Sequence, residues 1–236
     1  MIIIKMIIYF FYMIYMSLKA IKLWVIKKTK GTRAGIDYSG KVAKDWARFT
    51  VKIIGLNITI NGKENIPKEP CCYMGNHTSI LDIPILIDSV DKCMGFIAKK
   101  EMVHAPFLGY WMHQYNCVAL DRGNAREAIK SIKEGADNIK NGYSMGIFPE
   151  GTRSQDGKLK EFKKGSLKLA IIAKAPIVPV TIEGAYRAFE KDRKIKPIDL
   201  TITFSEPFYT ENLSREEEKA LMDKVRGVIA KNLGQE

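Results

Sequence analysis

Two short segments of this 236-residue chain contain side chains that can do chemistry together. The segment 76–82 (NHTSILD) offers an imidazole and, five residues later, a carboxylate. The segment 148–154 (FPEGTRS) offers a glycine turn beside a guanidinium. An imidazole with a carboxylate suits a general base, and a turn with an arginine suits an anion clamp. The two segments together therefore indicate activation of an alcohol that carries a phosphate.

His77 and Asp82 can only cooperate if the chain turns between them. On a single helix, two residues five apart point about 140° away from each other. We therefore expect His77 to lie in the turn after a strand, with a helix starting at Thr78 or Ser79, so that Asp82 comes back towards the ring. Asp82 would then fix the tautomer and support the imidazolium. An ordinary helix start at the surface is the alternative that this segment leaves open.

The second segment follows an apolar strand, which Pro149 and Gly151 interrupt. A glycine at a strand end lets backbone N–H groups approach an anion, and Arg153 can bind phosphate through two parallel hydrogen bonds. The alternative for this segment is an ordinary Pro-Gly turn with a solvated arginine.

Charge and hydropathy indicate a membrane surface. The chain has a net charge of +12, of which +9 falls in residues 1–60. Within residues 1–18 only Lys5 and Ser17 are not apolar. No nucleic-acid-binding motif accompanies the basic residues, so we expect no nucleic acid partner and favour anionic phospholipid.

Residues 1–18 as a helix reach about 27 Å, which is marginal against a hydrocarbon core of about 30 Å. A short span and a helix lying in the interface both remain open, and a buried core helix is a third alternative. Lysines follow the apolar stretch and no A-x-A-like site is present, so we do not expect a cleaved signal peptide. The acid-free basic run 19–33 predicts that the following domain lies on the cytoplasmic side of the cytoplasmic membrane.

The remaining pattern predicts an α/β protein. We expect a membrane-associated helical segment at 1–55, with a loop at 31–40, and a single α/β domain at 56–236. At 46% hydrophobic residues, a domain of this size can bury a core. Alternation and helical periodicity predict strands at 56–61, 71–74, 94–98, 144–148, 177–182 and 200–204, and helices at 126–140, 164–173 and from 215 onward.

Cysteine and histidine spacing gives no sign of a metal site. Cys71 and Cys72 are adjacent, Cys93 and Cys117 stand alone, and no C-x-x-C pair occurs, so we expect reduced core thiols. The other two histidines, His104 and His113, lack ligand spacing. The G-x-S-x-G, P-loop and G-x-G-x-x-G motifs are absent.

Taken together, the two segments resemble the 1-acylglycerol-3-phosphate O-acyltransferases, a branch of the glycerolipid acyltransferases. The N-H-x-x-x-x-D motif of that family matches Asn76, His77 and Asp82, and its F-P-E-G-T-R-S motif matches 148–154 without substitution. The resemblance covers roughly residues 50–205. It implies a domain with a central mixed sheet flanked by helices.

The resemblance also implies residues that bind the acceptor. The stretch 96–101 resembles the family segment whose lysine holds phosphate, and 118–122 resembles its second block, where Arg122 is alternatively a salt bridge at a helix start. The stretch 177–180 resembles the fourth block. Glu150 is expected to order its turn or bind the glycerol hydroxyl. The expected substrate-binding residues are Lys99, Arg122, Glu150, Gly151, Thr152 and Arg153, beside the catalytic pair His77 and Asp82.

The implied reaction is direct acyl transfer, without metal or resident cofactor, in phospholipid biosynthesis. His77 takes the proton of the sn-2 hydroxyl of lysophosphatidate, and the alkoxide attacks a thioester of acyl-CoA or acyl carrier protein to give phosphatidate. The lysines between 158 and 168 either dock an acidic carrier protein or form a solvated face. Another glycerolipid or lysophospholipid acceptor remains open. A non-catalytic membrane-binding relative fits less well, because it would be expected to lose His77 or Asp82.

Overall fold

The computed structural model describes residues 2–105, 107–121 and 123–235. Its first element, α1, runs from Ile2 to Ile54 and is broken at Gly31, whose φ of 85° and ψ of 173° are not helical. The two arms, 2–30 and 32–54, lie antiparallel: Lys5 Nζ lies 3.4 Å from the carbonyl oxygen of Ile54. α1 is therefore a helical hairpin.

The loop predicted at 31–40 is wrong in extent, because only Gly31 departs from helical geometry. Gly40, at the end of that predicted loop, is used for close packing instead. A Cβ atom on Gly40 would lie 2.6 Å from Cys93 Sγ, so glycine there lets the second arm approach the domain. Ser39, one residue earlier, donates a hydrogen bond of 2.5 Å to the carbonyl of Gln114.

A seven-stranded sheet forms the centre of the domain, in the order β1-β7-β6-β2-β5-β3-β4. Neighbouring strands are parallel except β6 and β7, which are antiparallel. This confirms the expected mixed sheet and adds one short strand, β4, to the six predicted. The strands are β1 (Leu56–Asn61), β2 (Cys72–Gly75), β3 (Met94–Lys99), β4 (Val118–Leu120), β5 (Ser144–Ile147), β6 (Ile177–Glu183) and β7 (Ile198–Phe204).

Helices cover both faces of this sheet. The capping box predicted at Ser214 and Glu217 is present and opens the last helix. The helix predicted at 164–173 begins as a 3-10 turn, Lys164–Leu167. The helices are α2 (Asp82–Ser89), α3 (Lys100–Val103), α4 (Leu108–Gln114), α5 (Ala125–Lys140), α6 (Lys168–Ala173), α7 (Ala185–Ala188) and α8 (Arg215–Asn232).

In the central strand β2, successive residues pack into two separate cores on opposite faces of the sheet. Tyr73 of β2 packs on the side of the second α1 arm and α2, and its neighbour Met74 packs on the side of α5, α6 and α8. Three cysteines are buried and Cys93 is half-buried, all as unpaired thiols. Since β2, β5 and β6 are adjacent and parallel, their carboxyl ends meet at one edge of the sheet, which is where such sheets bind ligands.

Candidate active site

Asn76 anchors the first motif to the sheet edge. Its side-chain amide donates to the carbonyl of Ile182 at 2.9 Å and accepts from the N–H of Ile182 at 2.8 Å. The amide thus takes the place of a backbone group and extends the β2–β6 pairing by one residue. Asn76 is fully buried, and the next residue, His77, is fixed at the end of β2.

His77 and Asp82 meet as the sequence predicted. His77 Nδ1 lies 2.8 Å from Asp82 Oδ2, and Asp82 is fully buried. The same oxygen accepts the backbone N–H groups of Thr78 at 2.7 Å and Ser79 at 2.8 Å. The predicted helix start at Thr78 or Ser79 is wrong: α2 begins at Asp82. These two N–H groups bind the carboxylate, so the chain between the histidine and the aspartate is a tight turn.

The geometry fixes which nitrogen of His77 can act as the base. A carboxylate only accepts hydrogen bonds, so Nδ1 carries the proton and Nε2 keeps a lone pair. The ring stacks on Phe148, with 4.2 Å between ring centroids and 13° between the planes. The side chain of His77 is 19% exposed, so part of the ring is open to a substrate.

Glu150 ties the two motifs together. Its Oε1 accepts the backbone N–H of His77 at 2.7 Å, and its Oε2 accepts the N–H of Lys160 at 3.1 Å. A third link is the N–H of Ser154, which donates to the carbonyl of His77 at 2.8 Å. Burial raises the pKa of Glu150, while the two N–H donors oppose that rise. The carboxylate therefore braces the site through backbone contacts.

The turn after β5 requires its glycine. Gly151 has a φ of 75°, in the left-handed region that favours glycine. A Cβ atom there would also lie 3.0 Å from the Lys163 side chain. The exposed Thr152 follows, and Lys160 Nζ donates to the carbonyl of Arg153 at 2.9 Å. A lysine thus holds the turn from outside.

Arg153 makes an ion pair that the sequence did not reveal. Its Nη1 donates to Glu190 Oε1 at 3.1 Å, and its side chain is 37% exposed. A guanidinium has five N–H donors, so this contact leaves donors on the exposed side for another anion. Glu190 lies in a charged stretch after α7, where no local pattern distinguishes it from its neighbours.

Lys99 lies at the carboxyl edge of the sheet, as segments 76–82 and 148–154 do, but its described contact is with neither segment. Lys99 ends β3, a parallel neighbour of β5, and its Nζ pairs with Glu101 at 3.2 Å. Its side chain is 54% exposed. Arg122 lies outside the described residues. Within the described ranges, no group of three or more His, Cys, Asp or Glu side chains is arranged to hold a metal ion.

A mixed α/β sheet with a carboxylate-oriented histidine and an arginine-bearing turn at its carboxyl edge is suited to one class of chemistry: general-base activation of a hydroxyl beside an anion. The sequence narrows this class, because residues 57–183, more than half of the chain, match the Acyltransferase family. The protein belongs to that family.

Named relatives agree with this assignment. The chain is 34% identical over 188 residues to a 1-acyl-sn-glycerol-3-phosphate acyltransferase of Cocos nucifera, covering 79% of this chain and 61% of the relative. It is also 34% identical over 191 residues to the protein of that name in Saccharomyces cerevisiae, covering 77% and 61%. The chain thus spans about three fifths of the length of these curated relatives.

A solved structure matches almost the whole chain. The crystal structure of the 1-acyl-sn-glycerophosphate (LPA) acyltransferase PlsC from Thermotoga maritima superposes with a TM-score of 0.79 at 27% identity. The match covers 99% of this chain and 95% of that one. The similarity therefore includes the α1 hairpin as well as the sheet.

Proposed function

We propose that this protein is a 1-acylglycerol-3-phosphate O-acyltransferase, which forms phosphatidate from lysophosphatidate and an acyl thioester. The observation that carries the proposal is the joining of base and anion clamp at one sheet edge. His77 is oriented by Asp82 at 2.8 Å, and the Arg153 turn is attached to His77 through the Ser154 N–H, also at 2.8 Å. The activity named for the relatives supports the same reaction.

His77 acts through Nε2 in the proposed mechanism. This nitrogen takes the proton of the sn-2 hydroxyl as the oxygen attacks the thioester carbonyl, and the buried Asp82 carboxylate stabilises the imidazolium that forms. The C–O bond forms, the C–S bond breaks, and the departing thiolate receives the proton from His77. The histidine is then ready for another turnover.

The acceptor phosphate is proposed to bind Arg153 and Lys99. Arg153 presents donors on its exposed side, and Lys99 lies on an adjacent parallel strand with a flexible, half-exposed side chain. We include Arg122 as a third cation on the family resemblance alone, since it lies outside the described residues. Gly151 and Thr152 shape the turn. Both oxygens of Glu150 accept backbone N–H groups, which supports a role in ordering the turn.

The first arm of α1 indicates membrane association. By length and composition, α1 as a whole is the one helix in the described ranges that could cross a membrane. The polar contacts of the first arm face the second arm, where Tyr9 accepts from Trp46 Nε1 at 3.0 Å. Most of its large apolar side chains are exposed, namely Ile3, Ile4, Met6, Ile7, Ile8, Phe10, Phe11, Ile14, Leu18, Ile21, Trp24 and Val25.

We propose that this arm lies in one membrane surface rather than spanning the bilayer. It packs along the second arm, which packs against α2 of the domain, so one face is covered by protein and the other is left for lipid. The basic residues around the kink suit anionic headgroups, and their excess favours the cytoplasmic face of the cytoplasmic membrane. The division at residue 55 then separates a lipid-binding hairpin from the acyltransferase domain.

In the test, the purified protein in mixed micelles is given lysophosphatidate or glycerol-3-phosphate as the acceptor. The donor is a thioester of either CoA or acyl carrier protein. The thioester is a co-substrate, and we propose no resident cofactor. Phosphatidate should form from lysophosphatidate with at least one donor. The product should disappear in His77→Ala and persist in the matched control His113→Ala, an exposed histidine of α4. Acylation of glycerol-3-phosphate alone, or an active His77→Ala variant, would contradict the proposal.

A further inference from the structure

Glu190 makes contacts to both motifs through a single oxygen. Its Oε1 accepts the backbone N–H of Ile80 at 2.7 Å and the Nη1–H of Arg153 at 3.1 Å. Ile80 lies in the turn between His77 and Asp82. One carboxylate oxygen therefore joins the turn of the base to the arginine of the anion clamp.

The burial of Glu190 makes this contact a rigid one. Its side chain is 7% exposed, and its Oε2 is buried without a hydrogen-bond partner among the described residues. A buried carboxylate is costly unless it is paired, so the contacts of Oε1 are what hold it in place. Any turn of the carboxylate towards water would break both of these contacts.

The segment that carries Glu190 is itself braced against the arginine turn. Tyr186 in α7 donates its hydroxyl to the carbonyl of Gln155 at 2.9 Å. The N–H of Lys196 donates to the carbonyl of Ala188 at 2.9 Å, which closes the segment on itself. Residues 184–196, here called the brace, thus contact the clamp at Arg153 and the chain again at Gln155.

We infer that Glu190 is a positioning residue for acceptor binding. It fixes one side of the Arg153 guanidinium, leaves the other side for the acceptor phosphate, and sets the distance from that phosphate to His77. This inference rests on the proposed function. The opposing interpretation is that Glu190 occupies the place of the phosphate and competes with it.

The two interpretations predict opposite changes in Glu190→Ala. If Glu190 positions Arg153, its loss should raise the KM for lysophosphatidate roughly tenfold, because a charge-assisted hydrogen bond that orients the clamp is lost. The KM for the thioester should stay within about twofold. If Glu190 competes with the phosphate, the KM for lysophosphatidate should fall, and this would overturn the inference.

Two further variants separate positioning from general damage. Glu190→Gln keeps an oxygen that can accept from both donors, so it should return the acceptor KM to within about threefold of wild type. Asp192→Ala is the matched control, because Asp192 lies on the brace but pairs with Lys196 instead of either motif. In an Arg153→Ala background, Glu190→Ala should add less than about twofold to the acceptor KM.

The experiment measures acceptor KM, donor KM and the rise in melting temperature caused by short-chain lysophosphatidate for all variants. If the wild type binds the acceptor but forms no phosphatidate, the proposed function fails and the melting shifts still decide the role of Glu190. The inference is supported if Glu190→Ala weakens acceptor binding selectively and Glu190→Gln restores it. It is overturned if Glu190→Ala matches Asp192→Ala, or if it raises both KM values equally.

Discussion

Asp82→Asn changes the charge of the site with little change in shape. In the wild type, Asp82 Oδ2 accepts three N–H groups, from His77 Nδ1, Thr78 and Ser79. An asparagine oxygen in the same place can accept the same three. What is lost is the negative charge that supports the imidazolium when Nε2 takes a proton.

The expected loss of kcat in Asp82→Asn follows from the burial of the Asp82 side chain. Asp82 is fully buried and 2.8 Å from the ring, and removing one partner of such a pair costs about 3–5 kcal/mol. Because the imidazolium forms only during reaction, this cost should fall on the transition state. It corresponds to a loss of roughly 150- to 5,000-fold in kcat, with little change in acceptor KM. The amide NH₂ would replace Oδ1, a buried atom without a partner in the described ranges, which should cost about 1–3 kcal/mol of stability.

The loss of kcat is measured by steady-state acylation of lysophosphatidate with the purified Asp82→Asn variant. The loss of stability is measured by a melting curve for each sample. The matched control is Asp88→Asn on the same helix, whose carboxylate pairs with Arg48 at 3.5 Å, away from the ring. Asp88→Asn should keep near wild-type kcat. The reasoning is refuted if folded Asp82→Asn turns over within about threefold of wild type, since the buried charge would then be irrelevant to the proton transfer.

Three further changes test the anion clamp, the Glu150 carboxyl group and the exposed apolar face of α1. Arg153→Ala should raise the acceptor KM at least about tenfold with the donor KM unchanged, measured by the same assay; an unchanged acceptor KM removes it from the clamp. Burial raises the pKa of Glu150 above its usual value of 4.5, so this group stabilises the fold below that value and the contribution is lost as pH rises through the raised pKa. Urea unfolding from pH 4 to 8 should therefore show wild type losing stability relative to Glu150→Gln as pH rises, and a constant difference contradicts this. Phe10→Ser with Phe11→Ser, each side chain above 60% exposed, should weaken binding to anionic vesicles by about 2–4 kcal/mol in sedimentation, whereas Ile129→Ser on α5 should not.

Sequence reasoning recovered the part of the site geometry that depends on local spacing. The histidine and aspartate had to meet across a turn, and the strands that carry both motifs follow from short apolar runs. The predicted start of α2 was wrong, because the N–H groups of Thr78 and Ser79 bind the Asp82 carboxylate. Residue spacing alone does not reveal this contact. The predicted roles of the site residues remain predictions for the assays above.

The contacts that sequence reasoning missed are long-range ones. Arg153 and Glu190 are 37 residues apart, and Glu190 stands among other charged residues. Gly40 was assigned to a loop, because a glycine that permits close packing and one that permits a turn look alike in a sequence. In both cases the information lies in the tertiary structure.

The direction of the α1 hairpin relates its exposed apolar surface to the candidate active site. Lys5 contacts Ile54, and β1 begins two residues later at Leu56, which pairs with Ile198 at the start of β7. Because β7 is antiparallel to β6, the start of β7 lies at the carboxyl end of β6. That end holds Asn76 through Ile182, and therefore His77.

The other end of the hairpin lies at the opposite edge of the sheet. Arg33, just past the kink, donates to the carbonyl of Asn141, shortly before the amino end of β5. The most apolar and exposed part of the first arm is thus at the catalytic edge, and the basic kink is remote from it. If this arm lies in a membrane surface as we propose, a lipid acceptor whose acyl chain stays beside it has its polar head near the edge that carries His77 and Arg153. In that arrangement the acyl chain need not leave the bilayer, which avoids the cost of exposing it to water, about 0.8 kcal/mol per methylene group.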